Sequence, residues 1–220
     1  AASSPAAEGR SAADGEPLSG VADRSLLMLE IAFDEEFQDT SPTAHRSSVH
    51  GTVERVAGRS GQCAVFTGDS WIDTGVAQAD LADEFTVECW VKPDSQQHMH
   101  ADILGNHASN ASGFVLQQDA AHTNEFYAAY GAGDGKWVLT EPVRLLANQW
   151  QHVAIVKTHE QFSLYVNGVL AATREVTVPM AVSNMPVAVG NGYVEHPRCF
   201  RGMIDDVRIW KTALAGFAHA

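Results

Sequence analysis

Positive charge is scarce in this sequence. Fourteen lysines and arginines stand against 27 aspartates and glutamates in 220 residues, a formal net charge of −13. A surface that acidic repels phosphate backbones, so neither nucleic acid nor an anionic lipid surface is an expected partner. Long apolar runs are missing too: nothing approaches the ~20 residues a membrane helix needs, and no membrane insertion is expected by that route. Ala1 to Gly9 lack the basic and apolar regions of a signal peptide, and the first residue is not Met, which fits a mature or excised fragment. Cysteine is rare. Cys63, Cys89 and Cys199 match no zinc spacing and read as one optional disulfide or three buried thiols. There is no Gly-x-Ser-x-Gly, no phosphate loop and no dinucleotide fingerprint. No segment between Ser25 and Trp210 keeps a 3.6-residue apolar period, which argues against a helical fold.

What is present reads as short strands. Hydrophobic residues make up 45% and charged residues 19%, the balance of a chain with a core. Residues 1–24, rich in Ala, Ser, Gly, Pro and acids, are expected to form a disordered linker, with one domain over 25–220. Leu27, Leu29, Ile31 and Phe33 alternate with Met28, Glu30, Ala32 and Asp34, the period of a half-buried strand. Residues 39–58 read as a polar loop. Phe85, Val87, Cys89 and Val91 alternate in the same way before Pro93-Asp94. Asn167-Gly168, between Phe162–Val166 and Val169–Ala172, signals a tight type I′ hairpin, because both residues tolerate positive φ. Many short strands with frequent turns predict an all-β, antiparallel two-sheet β-sandwich.

Several segments, in order, resemble those of laminin G-like jelly-roll modules of the concanavalin A-like class. Phe85-Thr-Val-Glu-Cys-Trp-Val-Lys-Pro93 is similar to their FTVEAWVKP strand, and Trp150-Gln-His-Val-Ala154 to WHHVA. Leu164-Tyr-Val-Asn-Gly-Val169 is similar to LYVNGV, and Phe200-Arg-Gly-Met-Ile-Asp-Asp-Val-Arg-Ile209 to FRGxIDEVRI. Ala64-Val-Phe66 before Gly68 resembles ALxFDG. The resemblance covers roughly residues 27 to 212. It implies a module of a larger extracellular, periplasmic or cell-surface protein that binds a glycan or polysaccharide, or a protein partner, and that often holds a structural calcium.

Catalysis is not expected. Glycosidases on this kind of sandwich need two carboxylates on one face, about 5 to 5.5 Å apart for retention. No Glu-x-Asp-x-(x)-Glu run exists, and adjacent Asp205 and Asp206 should point to opposite faces. A hydrolase or lyase with an unusual site stays as the alternative.

Asp205 would be buried if its strand face, shared with Met203, Val207 and Ile209, is the core. A buried carboxylate must be paired, hydrogen-bonded or metal-bound. Pairing of the first and last strands would bring Asp34 to Asp205, and the Gly68-Asp69 turn could add carbonyls. Asp34, Gly68 and Asp205 are therefore candidate calcium ligands; the alternative has Asp205 accepting backbone N–H groups and Asp34 capping a turn. His98, His100 and His107 read as a histidine-rich polar loop rather than a metal site, and His152 as a structural, hydrogen-bonded histidine. For a glycan, aromatic faces beside polar loops are needed. Tyr127, Tyr130, Trp137 and Tyr193, with Asn106 and His107, form the expected binding rim.

Overall fold

The computed structural model describes residues 23–193 and 198–217. The linker expected over 1–24 lies outside them except for Asp23 and Arg24. The Asp23 carboxylate accepts the Ser25 N–H (2.9 Å) and caps a short 3-10 turn, Arg24–Leu26.

Two eight-stranded antiparallel sheets pack face to face, as the alternating pattern predicts. The first contains β1 (Leu27–Ile31), β3 (Glu54–Ala57), β4 (Gln62–Thr67), β6 (Phe85–Pro93), β12 (Gln151–Lys157), β13 (Gln161–Val166), β14 (Val169–Glu175) and β16 (Arg201–Trp210). Its order is β14-β13-β12-β6-β16-β4-β3, and β1 shares the β4 edge of β16. The second contains β2 (Ser48–His50), β5 (Trp71–Ala77), β7 (Asp102–Gly105), β8 (Phe114–Gln118), β9 (Glu125–Gly131), β10 (Trp137–Leu139), β11 (Val143–Arg144) and β15 (Pro186–Val189). Its order is β10-β9-β8-β7-β15-β5-β2, with β11 on β9. Gly68-Asp69 does not close a hairpin; it carries the chain from β4 in one sheet to β5 in the other.

The inward faces interdigitate. Phe85, Val87, Cys89 and Val91 of β6, Val153 and Ile155 of β12, and Ile204, Val207 and Ile209 of β16 meet Phe114, Leu116, Phe126, Ala128 and Tyr130 of the second sheet. Asn167 (φ 50°) and Gly168 (φ 76°) make the expected hairpin turn. All three cysteines are buried free thiols, and burial pushes Cys63 and Cys199 up to about 11.

Three expectations change. The polar loop 39–58 contains two strands, β2 and β3; both lie at sheet edges and are largely exposed, so no hydrophobic alternation marks them. Strand β1 stops at Ile31, and Met28 is buried as well as its neighbours. The free edge of β1 is covered by residues 39–41: Asp39 Oδ1 accepts the Glu30 N–H (2.9 Å), and the Ser41 hydroxyl donates to the Met28 carbonyl (2.8 Å). Strand β6 is buried on both faces. Of its outward residues, Trp90 lies under the Arg59 guanidinium (3.5 Å). Thr86 and Glu88 lie under the chain that follows β16, where Thr86 bonds Thr212 and Leu214 and Phe217 packs on His152 (5.1 Å) and Tyr165 (5.2 Å).

Under that cover Glu88 Oε2 meets His152 Nε2 at 2.8 Å, and Trp210 Nε1–H donates to Oε1 at 2.8 Å. Burial pulls the Glu88 carboxyl up, but the His152 and Trp210 contacts outweigh it, and the group stays below the usual glutamate range. His152 is thus a hydrogen-bonded structural residue.

Candidate functional site

The outward face of the second sheet carries a cleft of about 350 Å³. Strand periodicity builds its floor. Val115 and Gln117 of β8, Tyr127 and Ala129 of β9, and Trp137 and Leu139 of β10 alternate outward, in register as Val115–Ala129–Leu139 and Gln117–Tyr127. The small side chain of Ala129 leaves the depression between larger neighbours. Val115, Tyr127, Ala129 and Trp137 form an apolar cluster separate from the core. Loops complete the walls: His100, His107, Ala108 and Ser109 on one side, Tyr193 and Arg198 on the other.

The polar groups beneath are wired to one another. Asp102, fully buried, accepts from Gln117 Nε2 (2.7 Å) and the Gly192 N–H (3.2 Å), and its Oδ2 lies 3.2 Å from His107 Nε2. The Tyr127 hydroxyl donates to Gln117 Oε1. Burial, reinforced by the charges of Asp102 and Asp119, pushes the Tyr127 phenol up to about 12, so it remains a donor at neutral pH. His107 packs against Tyr193 (centroids 4.8 Å) and edge-on against Trp137 (5.5 Å); the Arg198 guanidinium lies 4.9 Å from the Tyr193 ring centre. Asn191 Oδ1 accepts the Tyr193 (3.0 Å) and Arg198 (3.1 Å) N–H groups and sets that wall. A fixed aromatic surface over an internally hydrogen-bonded polar network suits a polyhydroxylated ligand, whose C–H faces stack while its hydroxyls find donors and acceptors.

The structure brings four of the six expected rim residues together: His107, Tyr127, Trp137 and Tyr193. Tyr130 is corrected. It lies three residues from Tyr127 on one strand and so faces the opposite way, into the core, where it packs on Phe162 (5.1 Å) and its hydroxyl donates to the Val178 carbonyl (3.1 Å). Asn106 is corrected too. It is fully buried behind the cleft, where Oδ1 accepts the Phe114 N–H (3.0 Å) and Nδ2 donates to Gln78 Oε1 (3.2 Å). Asp102, Gln117, His100 and Arg198 are additions. The first two left a trace in the sequence as polar residues within otherwise apolar strands.

The calcium ligand set does not fit. Asp34 and Asp205 do approach one another's region, but through a protein turn, Gly58–Gly61, between β3 and β4. Asp205 Oδ2 accepts the Arg59 (3.0 Å) and Ser60 (3.3 Å) N–H groups, and Oδ1 that of Asp206 (2.9 Å). Asp34 Oδ1 accepts the Gln62 N–H (2.9 Å), and the Asp34 carbonyl is taken by Arg55 (2.9 Å). A Cβ at Gly58 would sit 2.6 Å from Asp205 Oδ2, and one at Gly61 1.8 Å from Asp34 Oδ1, so only glycine allows these approaches. Gly68 packs against Arg201, whose Nε would be 2.6 Å from a Cβ there; a guanidinium repels a cation. Among the described residues no group of three or more His, Cys, Asp or Glu could hold a metal ion. A chelator is expected to leave the melting temperature within one degree of the calcium-supplemented value; a larger rise with calcium would restore the metal.

Asp205 also faces the other way from expectation. A bulge between Asp205 and Arg208, with Asp206 at φ 49°, resets the alternation, so Ile204, Val207 and Ile209 point inward and Asp205 outward beneath the turn. Burial pushes its carboxyl up to about 6 against the pull of the Ser60 and Arg59 N–H groups, with the Asp206 charge adding to the rise. The folded state therefore holds this proton more tightly than the unfolded chain, where an aspartate titrates near 3.9. Stability from this group is present at low pH and is lost as pH rises from about 4 to about 6, by roughly 2 kcal/mol. Urea unfolding at pH 4.5 and 7.5 should show the wild type losing that much relative to Asp205→Asn; parallel pH dependences would contradict the assignment.

A two-sheet jelly roll with a preformed cleft on one outward face has the architecture of a binding domain. The chain belongs to the concanavalin A-like lectin/glucanase superfamily, whose family model matches residues 66–216. Among solved structures it is similar to domain 4 of AbnA, a GH43 extracellular arabinanase from Geobacillus stearothermophilus, in complex with arabinotriose: TM-score 0.68, 20% identity, 86% of this chain and 94% of that one. It is similar as well to the binding domain of Paraclostridial Mosquitocidal Protein 1 (TM-score 0.70, 15% identity, 87% and 50%). A third is the binding domain of botulinum neurotoxin DC in complex with SialylT (0.66, 16%, 87% and 49%). The chain spans about half the length of the two toxin domains. Curated protein sequences give no match. No helix among the described residues is long and apolar enough to cross a membrane.

Proposed function

We propose that the chain is a non-catalytic carbohydrate-binding module, part of a larger extracellular, periplasmic or cell-surface protein, with its glycan seated in the cleft of the second sheet. The observation that carries this reading is the convergence of Trp137, Tyr127, Tyr193 and His107 over the Asp102–Gln117 network. Similar folds solved with arabinotriose and with SialylT support it. Hydrolysis has little to work with there: no carboxylate is among the described lining residues, and Asp102 lies behind them, accepting from Gln117 and Gly192 and in contact with His107, whereas glycosidases need a pair. Calcium has no part in this reading. A glycan array with the isolated chain tests it. Binding to a defined glycan class, unchanged by chelator, supports the reading. Silence across the array would shift the weight to a protein partner, for which the binding domain of botulinum neurotoxin DC in complex with rat synaptotagmin II (TM-score 0.68, 15% identity) is the structural precedent.

A further inference from the structure

A second recess, of about 380 Å³, opens on the outward face of the first sheet, away from the aromatic cleft. Strand register builds it. Lys92 of β6, Met203 of β16 and Val65 of β4 lie in one row, and Arg201 lies beside Thr67 in the next. Phe66 and Gly202 also contribute, and Asn148 and Asp94 close one end.

Its charge is unusual for this chain. Acids outnumber bases 27 to 14 in the sequence, yet two cations and a single carboxylate line this recess. Among the described residues Lys92 and Arg201 form no ion pair, although they line the same recess. Arg201 is also held in place. Its main chain is tied on both sides to Gln97, with its N–H donating to Oε1 (3.0 Å) and its carbonyl accepting from Nε2, and its side chain lies over Gly68, where a Cβ would come within 2.6 Å of Nε. Its Nε–H is shielded from solvent and has no acceptor. A buried donor left unmatched is costly, and native structures seldom leave one without a reason. The one carboxylate in the recess, Asp94, turns Oδ1 to the Gln96 N–H (2.9 Å) and the Ser95 hydroxyl (3.4 Å).

We propose that this recess is a second binding site, which takes the oxyanion of an acidic sugar residue, a uronate carboxylate or a sulfate ester. Arg201 supplies the outer N–H groups of its guanidinium fork, with Nε–H directly behind them, and Lys92 a second positive charge. Thr67 and Asn148 offer hydroxyl-reading groups, and Met203 and Val65 an apolar patch for the ring. At about 0.1 M salt the Debye length is ~10 Å, so the net negative charge elsewhere is screened while the two local cations still act.

The test is a nitrogen–proton correlation spectrum of the full chain, in which the Arg201 Nε–H is followed directly. Hexagalacturonate, a chondroitin 4-sulfate hexasaccharide and neutral maltohexaose are titrated separately in 0.1 M NaCl. The expected result is a saturable shift of the Arg201 Nε–H and of the Thr67 and Gly202 amides with at least one acidic oligosaccharide and none with maltohexaose. Whichever acidic oligosaccharide acts distinguishes carboxylate from sulfate. Arg201→Gln and Lys92→Gln should each weaken the binding read at the Thr67 and Gly202 amides at least about tenfold. Lys92→Gln removes only an outward side chain, so it serves if Arg201→Gln disturbs the fold. No saturable shift with either acidic oligosaccharide, an equal shift with maltohexaose, or full affinity in Lys92→Gln would overturn the proposal.

Discussion

Trp137→Ala is expected to weaken glycan binding about 30-fold or more, the scale of an aromatic anchor worth roughly 2 kcal/mol. Trp137 is the half-exposed member of the apolar cluster on the second sheet, and its ring meets His107 edge-on at 5.5 Å. Removing it takes away a stacking face and part of the floor of the cleft. The core is untouched, because Trp137 lies outside the main cluster. The melting temperature should therefore shift by no more than about two degrees. Calorimetric titration of wild type and variant, with the glycan found on the array, gives the comparison. Equal affinities would remove the cleft as the binding site even if glycan binding itself is real.

Glu88→Ala is expected to destabilise the fold by roughly 2–5 kcal/mol, because two buried nitrogens each lose an acceptor at about 1–3 kcal/mol apiece. Glu88 receives His152 at 2.8 Å and Trp210 at 2.8 Å, with the chain around Phe217 packed over them. Alanine leaves both nitrogens without an acceptor beneath that cover. Glu88→Gln keeps one oxygen and should cost less. Denaturant unfolding at pH 7 measures both, and a loss under about 1 kcal/mol for alanine would mean that the pair is not shielded as described. The carboxyl sits below its usual range, so this contribution is present above that range and fades as pH falls through it.

The architecture was largely legible from sequence. Period-two alternation marks β6, whose Phe85, Val87, Cys89 and Val91 face the core, and the Asn167-Gly168 turn marks the β13–β14 hairpin. Edge strands β2 and β3 bury too little to leave such a trace. The site was legible in its residue types more than in its geometry. Aromatics beside polar loops pointed to Tyr127, Trp137, Tyr193 and His107, which the fold brings to one cleft. Tyr130 could have been set aside by parity alone, since an odd separation on a strand reverses the face. Asn106 could not, because its role depends on a loop closing over it. The orientation of Asp205 depended on one extra residue in β16, and a bulge of that kind has no local signature here. Asp102 and Gln117 come together only when β7 pairs with β8.

Phe217 rests on the outward face of the first sheet, and the aromatic cleft opens from the outward face of the second, across the full thickness of the sandwich. A support coupled just downstream of Phe217 would therefore hold each copy with its cleft turned toward solution. Many weak single-site contacts could then act together on a repetitive polymer, and retention would rise with the density of copies without any change in the affinity of one.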